Sequence, residues 1–339
     1  MQLDTLNKHR SVWMGVAMLW IVFFHSGLRI PNVYISYIAG IGYGGVDIFM
    51  FASGLGNYFS YTKINDSTAF MQRKLARLAP VYLPFIIIWI FYRAGVSPLP
   101  IKAAIGNLFA VQGFTGLGDE FNWYITGLLV VYILAPFFSG LIDRINKLQI
   151  FSLLIVALLI ISIPFWESQF VIIVTRLPIF VLGMYFAKLS QNNKKLTSKL
   201  AVVLVGVMLV GFILLVFFYA KYPDYLWVRG LHWYPFILIT PGLCILISLL
   251  AEIAWKINLV KGFYKILKKV GEYSFEIYLI HIFALDLYKN CLIPAEILPQ
   301  SNWSVFFILL SVIPLCLLLR VCSKGCELLA RASVSHLKI

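Results

Sequence analysis

VWMGVAMLWIVFFHSGL, residues 12–28, decides how the rest of the chain is read. Crossing about 30 Å of hydrocarbon takes roughly 20 predominantly apolar residues, and this run is nearly that long. It also carries His25 close to its end. An imidazole at such depth has to be solvated by something other than lipid, which makes it a functional candidate by default.

Apolar runs of the same kind recur at 36–61, 78–94, 121–142, 149–165, 170–187, 200–220, 232–251, 272–290 and 303–322. Together with the first they predict about ten spans. The segment 104–114 is apolar but short, which predicts an interfacial or re-entrant piece rather than a crossing. With 61% hydrophobic and only 12% charged residues, the 339-residue chain is too apolar for a soluble domain. Its mean hydropathy of +0.89 says the same. The expected fold class is all-α, a polytopic helical membrane bundle forming one domain over 1–339 with no appended soluble domain.

A net charge of +14 raises the question of nucleic acid, but the positive residues fall in alternate loops. Lys8, Arg10, Lys63, Arg73, Lys74, Arg77, Lys188, Lys194, Lys195 and Lys338 are among those on one side. Arg29, Arg93, Lys102, Lys221, Arg229 and Lys289 stand on the other. The positive-inside rule then predicts that both termini are cytoplasmic, and the charge reads as a topology signal with the lipid bilayer, not nucleic acid, as the partner. The polar N-terminus runs into the first span without a small-residue cleavage site, so that span is expected to be retained. Of the five cysteines only Cys322 and Cys326 lie close together, and neither a disulfide nor a metal site is assigned.

The second span has glycine at 40, 42, 44, 45, 54 and 56, with Asp47 and Ser53 between them. Small residues let helices approach closely, and glycine also permits a local break whose freed backbone groups line a polar cavity. Close packing alone does not require a carboxyl group, so Asp47 favours the cavity. The other ionisable residues within or beside spans are His25, Arg176, Glu276, His281 and Glu120, the last beside Trp123. Charged groups in hydrocarbon face one another or a wet interior, so these are expected to converge. Glu276 precedes His281 by five residues, too far round a helix for direct pairing. His232 is read as interfacial, and His9 and His336 as terminal and solvated.

In FMQRKLARLAP, residues 70–80, Arg73 and Arg77 share a helix face beside Lys74. The cluster reads either as an anion site or as a topogenic patch on lipid headgroups. Tyr222, Tyr225, Trp227 and Trp233 on the opposite side suit either a sugar face or the usual interfacial aromatic belt.

Four stretches in order, FFHS (23–26), GGVDIFMFASG (44–54), FMQRKLARLAPVY (70–82) and EYSFEIYLIH (272–281), resemble the acyltransferase-3 family of bacterial membrane O-acyltransferases. FNWYITGLLVVYILAP (121–136) and RLPIFVLG (176–183) extend the resemblance over nearly the whole chain. It implies a ten-helix multi-pass protein of the bacterial cytoplasmic membrane that moves an acyl group, usually acetyl, from cytoplasmic acyl-coenzyme A. The acceptor is a hydroxyl of a cell-surface or lipid-linked glycan. His25 would be the catalytic centre with Asp47, and Arg73, Lys74 and Arg77 would hold coenzyme A phosphates. Ser53, Glu120, Trp123, Arg176, Glu276 and His281 would support substrate or catalyst, and no metal is implied.

Two positions depart from the family pattern. Met14 stands where many members have an arginine, eleven residues before the histidine, so Arg10 or Arg176 has to supply the positive charge or the donor arrangement differs. Trp123-Tyr-Ile-Thr-Gly127 lacks the usual acidic residue, although Glu120 is near. His25 would act as general base on the acceptor hydroxyl or carry the acyl group as an acyl-imidazole. Both roles need an unprotonated ring, which burial favours and a nearby Asp47 opposes. A glycan or small-acid transporter or flippase is the rival reading, since broken helices and buried charges suit it equally. A membrane scaffold without turnover is the third.

Overall fold

The computed structural model describes residues 4–192 and 197–336, with side chains up to residue 328 in the last helix; Lys194, Lys195 and Lys338 and the His336 side chain lie outside the described part. The described residues are helical with no strand. In chain order the helices are α1 (Asp4–Lys8), α2 (Arg10–His25), α3 (Val33–Gly40), α4 (Gly45–Ile64), α5 (Ser67–Val96), α6 (Ile101–Leu108), α7 (Gln112–Thr115) and α8 (Trp123–Arg144). They continue as α9 (Leu148–Ser162), α10 (Val171–Val174), α11 (Leu177–Gln191), α12 (Ser198–Lys221), α13 (Phe236–Lys256), α14 (Asn258–Glu272), α15 (Ser274–Leu287) and α16 (Asn302–His336).

Eight helical stretches among the described residues are long and apolar enough to cross a membrane: Val33–Ile64, Ser67–Val96, Glu120–Arg144, Leu148–Phe165, Val171–Gln191, Ser198–Lys221, Phe236–Lys256 and Asn302–Leu328. Each coincides with a run marked out by hydropathy. The first and ninth expected spans are the shorter helices α2 and α15, of 16 and 14 residues. They are also the helices that carry His25 and His281. The short apolar segment after the third crossing folds as α6 and α7. Asn107 and Asn122 bind it to the start of α8 (Asn122 Nδ2 to Asn107 Oδ1, 2.8 Å), and Tyr82 donates to the Asn107 carbonyl.

Two crossings are interrupted. A 3₁₀ turn, Gly42–Gly44, separates α3 from α4, and the chain pauses at Thr175 and Arg176 between α10 and α11. The glycines explain the first interruption and also the closest helix contacts. A Cβ at Gly54 of α4 would collide with the Phe180 carbonyl, and one at Gly183 of α11 with the Phe51 carbonyl. The small residues are thus matched on both sides of the α4–α11 seam, as in membrane helix pairs that approach backbone to backbone.

Most of the helix-facing apolar surface forms one core around Trp13, Phe51, Phe180 and Phe236, each essentially without solvent contact. Large apolar residues on the outward faces of α9, α12 and α16, such as Leu153, Val202 and Ile313, are exposed. That is the pattern expected where lipid, not water, is the surrounding phase.

His9 departs from the sequence reading. It is 1% exposed, hydrogen-bonded to Glu252 at 2.8 Å and to Tyr264 at 3.3 Å. Terminal position predicted solvation, but α1 folds back on α13 while α2 packs on α14, and Glu252 and Tyr264 of those helices enclose the ring. Substituting Gly54 or Gly183 by valine should lower thermal stability in detergent by about 1–3 kcal/mol through overpacking, whereas Gly140→Ala, facing open space, should leave it unchanged. Fluorescence-detected thermal unfolding checks this, and equal behaviour of the three variants would contradict the close-packed seam.

Candidate active site

α2 rises about 22 Å between Arg10 and His25 at 1.5 Å per residue. Its two ends therefore belong to opposite ends of the bundle. At the Arg10 end lies a cavity of about 950 Å³, within the size range of small-molecule sites. It is lined by Arg10, Lys63, Arg73, Lys74, Arg77, Arg320 and Lys324, against the carboxylates Glu272, Glu276 and Glu327. Part of that negative charge is already engaged, with Glu276 facing Arg320 at 3.8 Å and Glu272 bonded to Lys269 at 3.1 Å. The cavity is cationic.

Local sequence explains the convergence. Asp66 caps α5 by accepting from the Ala69 amide at 2.6 Å, which starts that helix so that Arg73, Lys74 and Arg77 fall in its first turns. The Lys74 ammonium is held between the Phe70 and Tyr132 rings, 4.9 and 5.7 Å from their centroids. Ala52, Ser53, Gly56, Asn57 and Ser60 form the α4 wall. Gly56 leaves room for the Arg10 guanidinium, which a Cβ there would meet at 2.7 Å. Arg10 Nε is buried with no hydrogen-bond partner, and no carboxylate lies at ion-pair distance from Arg10 among the described residues. A half-buried guanidinium among like charges is costly until an anion joins it.

The cavity extends inward to Ile21, Val46, Phe49, Tyr124 and Tyr278. Ile21 is one turn short of His25, and Tyr278 three residues short of His281. There the two imidazoles meet: His25 Nδ1 lies 3.0 Å from His281 Nε2, and His281 Nδ1 lies 2.8 Å from the Ile277 carbonyl. For neutral rings this pattern has one solution. The carbonyl only accepts, so His281 carries its proton on Nδ1 and its Nε2 must accept. His25 then donates from Nδ1, leaving a lone pair on His25 Nε2 with no hydrogen-bond partner among the described residues. Beyond the pair, Ser26 lines a second cavity of about 440 Å³ at the opposite end of the bundle. The two histidines thus stand between two cavities.

Asp47 and Arg176 meet each other instead of His25. Both are essentially unexposed, with Arg176 Nε 3.4 Å from Asp47 Oδ1. The guanidinium lies between Trp123 and Trp233, 5.0 and 4.6 Å from their rings, and donates to the Ile172 carbonyl at 2.8 Å. Asp47 follows the break in one crossing and Arg176 sits in the break of the other, so the pair joins the two interruptions. Asp47 is not within hydrogen-bonding reach of His25, so the expected opposition from its charge is directed to Arg176 instead.

The remaining expected residues divide. Ser53 lines the basic cavity and accepts from Asn57 at 3.2 Å, and Glu276 lines the same cavity without contacting His281. Glu120 is exposed in a 3₁₀ turn. The engaged acid of that segment is Asp119, which accepts from Trp89 and Asn107, each at 2.7 Å, and faces Arg93 at 3.5 Å. His232, in the segment between α12 and α13, is buried, hydrogen-bonded to the Leu226 carbonyl and packed on Tyr43 and Trp227. Of the four aromatic residues considered for a sugar face, Trp233 is buried against Arg176, while Tyr222, Tyr225 and Trp227 remain exposed. Sequence reasoning passed over Asp119, Tyr124 and Tyr278. A carboxylate beside the marked Glu120 was a signal for Asp119, but the tyrosines carried none beyond lying in the family-like stretches.

No curated protein and no solved structure matches this sequence. The acyltransferase-3 family model, described as an acyltransferase domain, matches residues 14–321 and so includes every residue of the histidine pair, the Asp47–Arg176 pair and the α5 basic cluster. With nearly its whole length inside that match, the chain belongs to the acyltransferase-3 family and is a multi-pass membrane acyltransferase.

Proposed function

We propose that this acyltransferase takes its acyl group, acetyl in the simplest case, from acyl-coenzyme A and esterifies a hydroxyl of a cell-surface or lipid-linked glycan. The observation that carries the reading is the cationic cavity that ends one turn from His25 and contains the unpartnered Arg10. Such a shape suits a donor whose phosphates are far from its reactive end. Arg10, Arg73, Lys74 and Arg77 bind the phosphates, and the acyl end reaches inward past Ser53 toward Tyr124 and Tyr278. In this reading Arg10 replaces the family arginine missing at Met14, because Arg176 is already committed to Asp47. The basic end faces the cytoplasm of a bacterial cell, which supplies the donor, and the whole chain acts as one domain.

His25 Nε2 removes the proton from the acceptor hydroxyl as the oxygen attacks the thioester carbonyl carbon. The tetrahedral intermediate collapses to the ester, and the departing thiolate recovers the proton from His25, giving free coenzyme A. Transfer through an acyl-imidazole uses the same nitrogen in two steps. His281 positions the catalyst in either case. It holds the His25 ring by Nδ1 and keeps the reactive nitrogen free, while its own Nδ1 proton is fixed on the Ile277 carbonyl. Asp47, Arg176 and Trp123 fix the helix breaks beside the acyl end.

Purified protein given labelled acetyl-coenzyme A and membrane glycan should form acetyl esters; glycan movement without ester formation would favour a transporter instead. His25→Ala should lower turnover by about 10²–10⁴-fold with folding intact. His281→Ala should lower kcat with little change in KM for the donor, and His281→Gln should recover part of the rate because its amide oxygen can accept from His25 Nδ1. Equal loss in both His281 variants would remove the positioning role. Arg10→Met should raise the KM for acetyl-coenzyme A about tenfold or more while leaving kcat nearly unchanged, as expected for loss of one charge-assisted phosphate contact. An unaltered KM would separate Arg10 from the donor site.

A further inference from the structure

The second cavity, beyond His25, has a chemistry of its own. Its lining includes Ser26, Arg29, Tyr288, Lys289, Asn302 and Trp303, and it contains two cations and no carboxylate. Two other cations at this end of the bundle meet acids, Arg93 facing Asp119 at 3.5 Å and Asp286 at 3.8 Å and Arg229 facing Glu167 at 3.9 Å, whereas Lys102 and Lys221 lie outside the cavity. Asp286, the acid nearest in sequence to Lys289, is taken by Arg93 and by the Tyr92 hydroxyl at 2.7 Å. Arg29 and Lys289 have no carboxylate at ion-pair distance among the described residues.

The walls are held in place before any ligand arrives. Asn302 accepts from the Arg29 amide at 2.9 Å and donates to the Arg29 carbonyl at 2.8 Å, clamping the segment after α2 to the start of α16. The Tyr288 hydroxyl donates to the Pro299 carbonyl at 2.8 Å and accepts from the Ser301 amide at 3.3 Å, closing the segment after α15. Trp303 is 73% exposed at the rim. A preorganised cavity of about 440 Å³ with two unneutralised cations, polar walls and an exposed indole matches an anionic saccharide, whose oxyanion meets the cations while a ring face meets the indole.

We infer that this cavity is the acceptor site and that it selects a saccharide carrying a phosphate or carboxylate near the hydroxyl to be acylated. The inference rests on the acyl-transfer reading, since Ser26 places the cavity directly after His25 and on the side away from the basic donor cavity. The negative group docks on Arg29 and Lys289, so the hydroxyl rather than the oxyanion is left to approach His25.

The test uses the full chain in nanodiscs of neutral lipid. Binding of a glucuronic-acid oligosaccharide is compared by calorimetry with that of a glucose oligosaccharide of equal length. The acidic probe should bind about tenfold or more tightly, with the preference shrinking as salt rises. Arg29→Met and Lys289→Met should each weaken the acidic probe about three- to tenfold and leave the neutral one alone, while Arg29→Lys and Lys289→Arg keep the preference. Equal binding of the two probes, or a preference untouched by the methionine variants, would overturn the inference. So would an outcome in which only phosphatidylglycerol added to the discs depends on Arg29 and Lys289, which would make the cavity a lipid-headgroup site. Acetyl-coenzyme A consumption by the wild-type protein is measured in parallel. Its absence would count against the acyl-transfer reading itself, whereas its presence with no acidic preference would count only against this site.

Discussion

Asp47 and Arg176 face each other with almost no solvent contact, each beside the interruption of a crossing. Removing one partner from a buried ion pair typically costs about 3–5 kcal/mol, because the other charge is left without compensation. Here both charges are supplied with more than each other. Asp47 lies in the first turn of α4, where the helix dipole favours a negative group, and Arg176 has two indole faces and a backbone carbonyl. The pair ties the start of α4 to the start of α11, about two helical turns from Gly54 and Gly183, where the seam brings their backbones together. α4 in turn presents Ala52, Ser53, Gly56 and Asn57 to the basic cavity. The position of that wall, and the room it leaves for Arg10, follow from this arrangement.

Charge is distributed along the bundle in a way that separates binding from chemistry. The basic cavity collects side chains from the starts of α2 and α5 and from the ends of α4 and α16, because alternating crossings bring those ends together. No formal charge takes part in the histidine pair. His25 and His281 are linked to each other and to a backbone carbonyl, a neutral chain of hydrogen bonds that needs no counterion in a low-dielectric interior. A base built in this way can be buried deeply and still offer a free lone pair.

Much of the architecture was legible in the sequence. Ten apolar runs gave ten crossings or near-crossings, since hydrocarbon forces every backbone group into a helix and leaves few alternatives. Gly42 and Gly44 announced a break, and the shortness of 104–114 announced a piece that does not cross. Individual side chains were less legible. Glu120 was marked and Asp119 is the acid that is engaged, because a shift of one residue in a turn decides which carboxylate faces inward. His9 looked solvated by position, and only the fold of α1 onto α13 buried it.

Sequence alone determined the membrane class, the places of the apolar helical runs, the alternation of basic loops and the candidacy of His25, because lipid penalises polar groups at any position whatever their partners. Only the tertiary structure decided which polar groups meet. His25 pairs with a residue 256 positions away, Asp47 with Arg176, and Arg10 with the cluster on α5. Partner choice depends on helix rotation and on the order of helices in the bundle, and neither is written in the hydropathy of a single span.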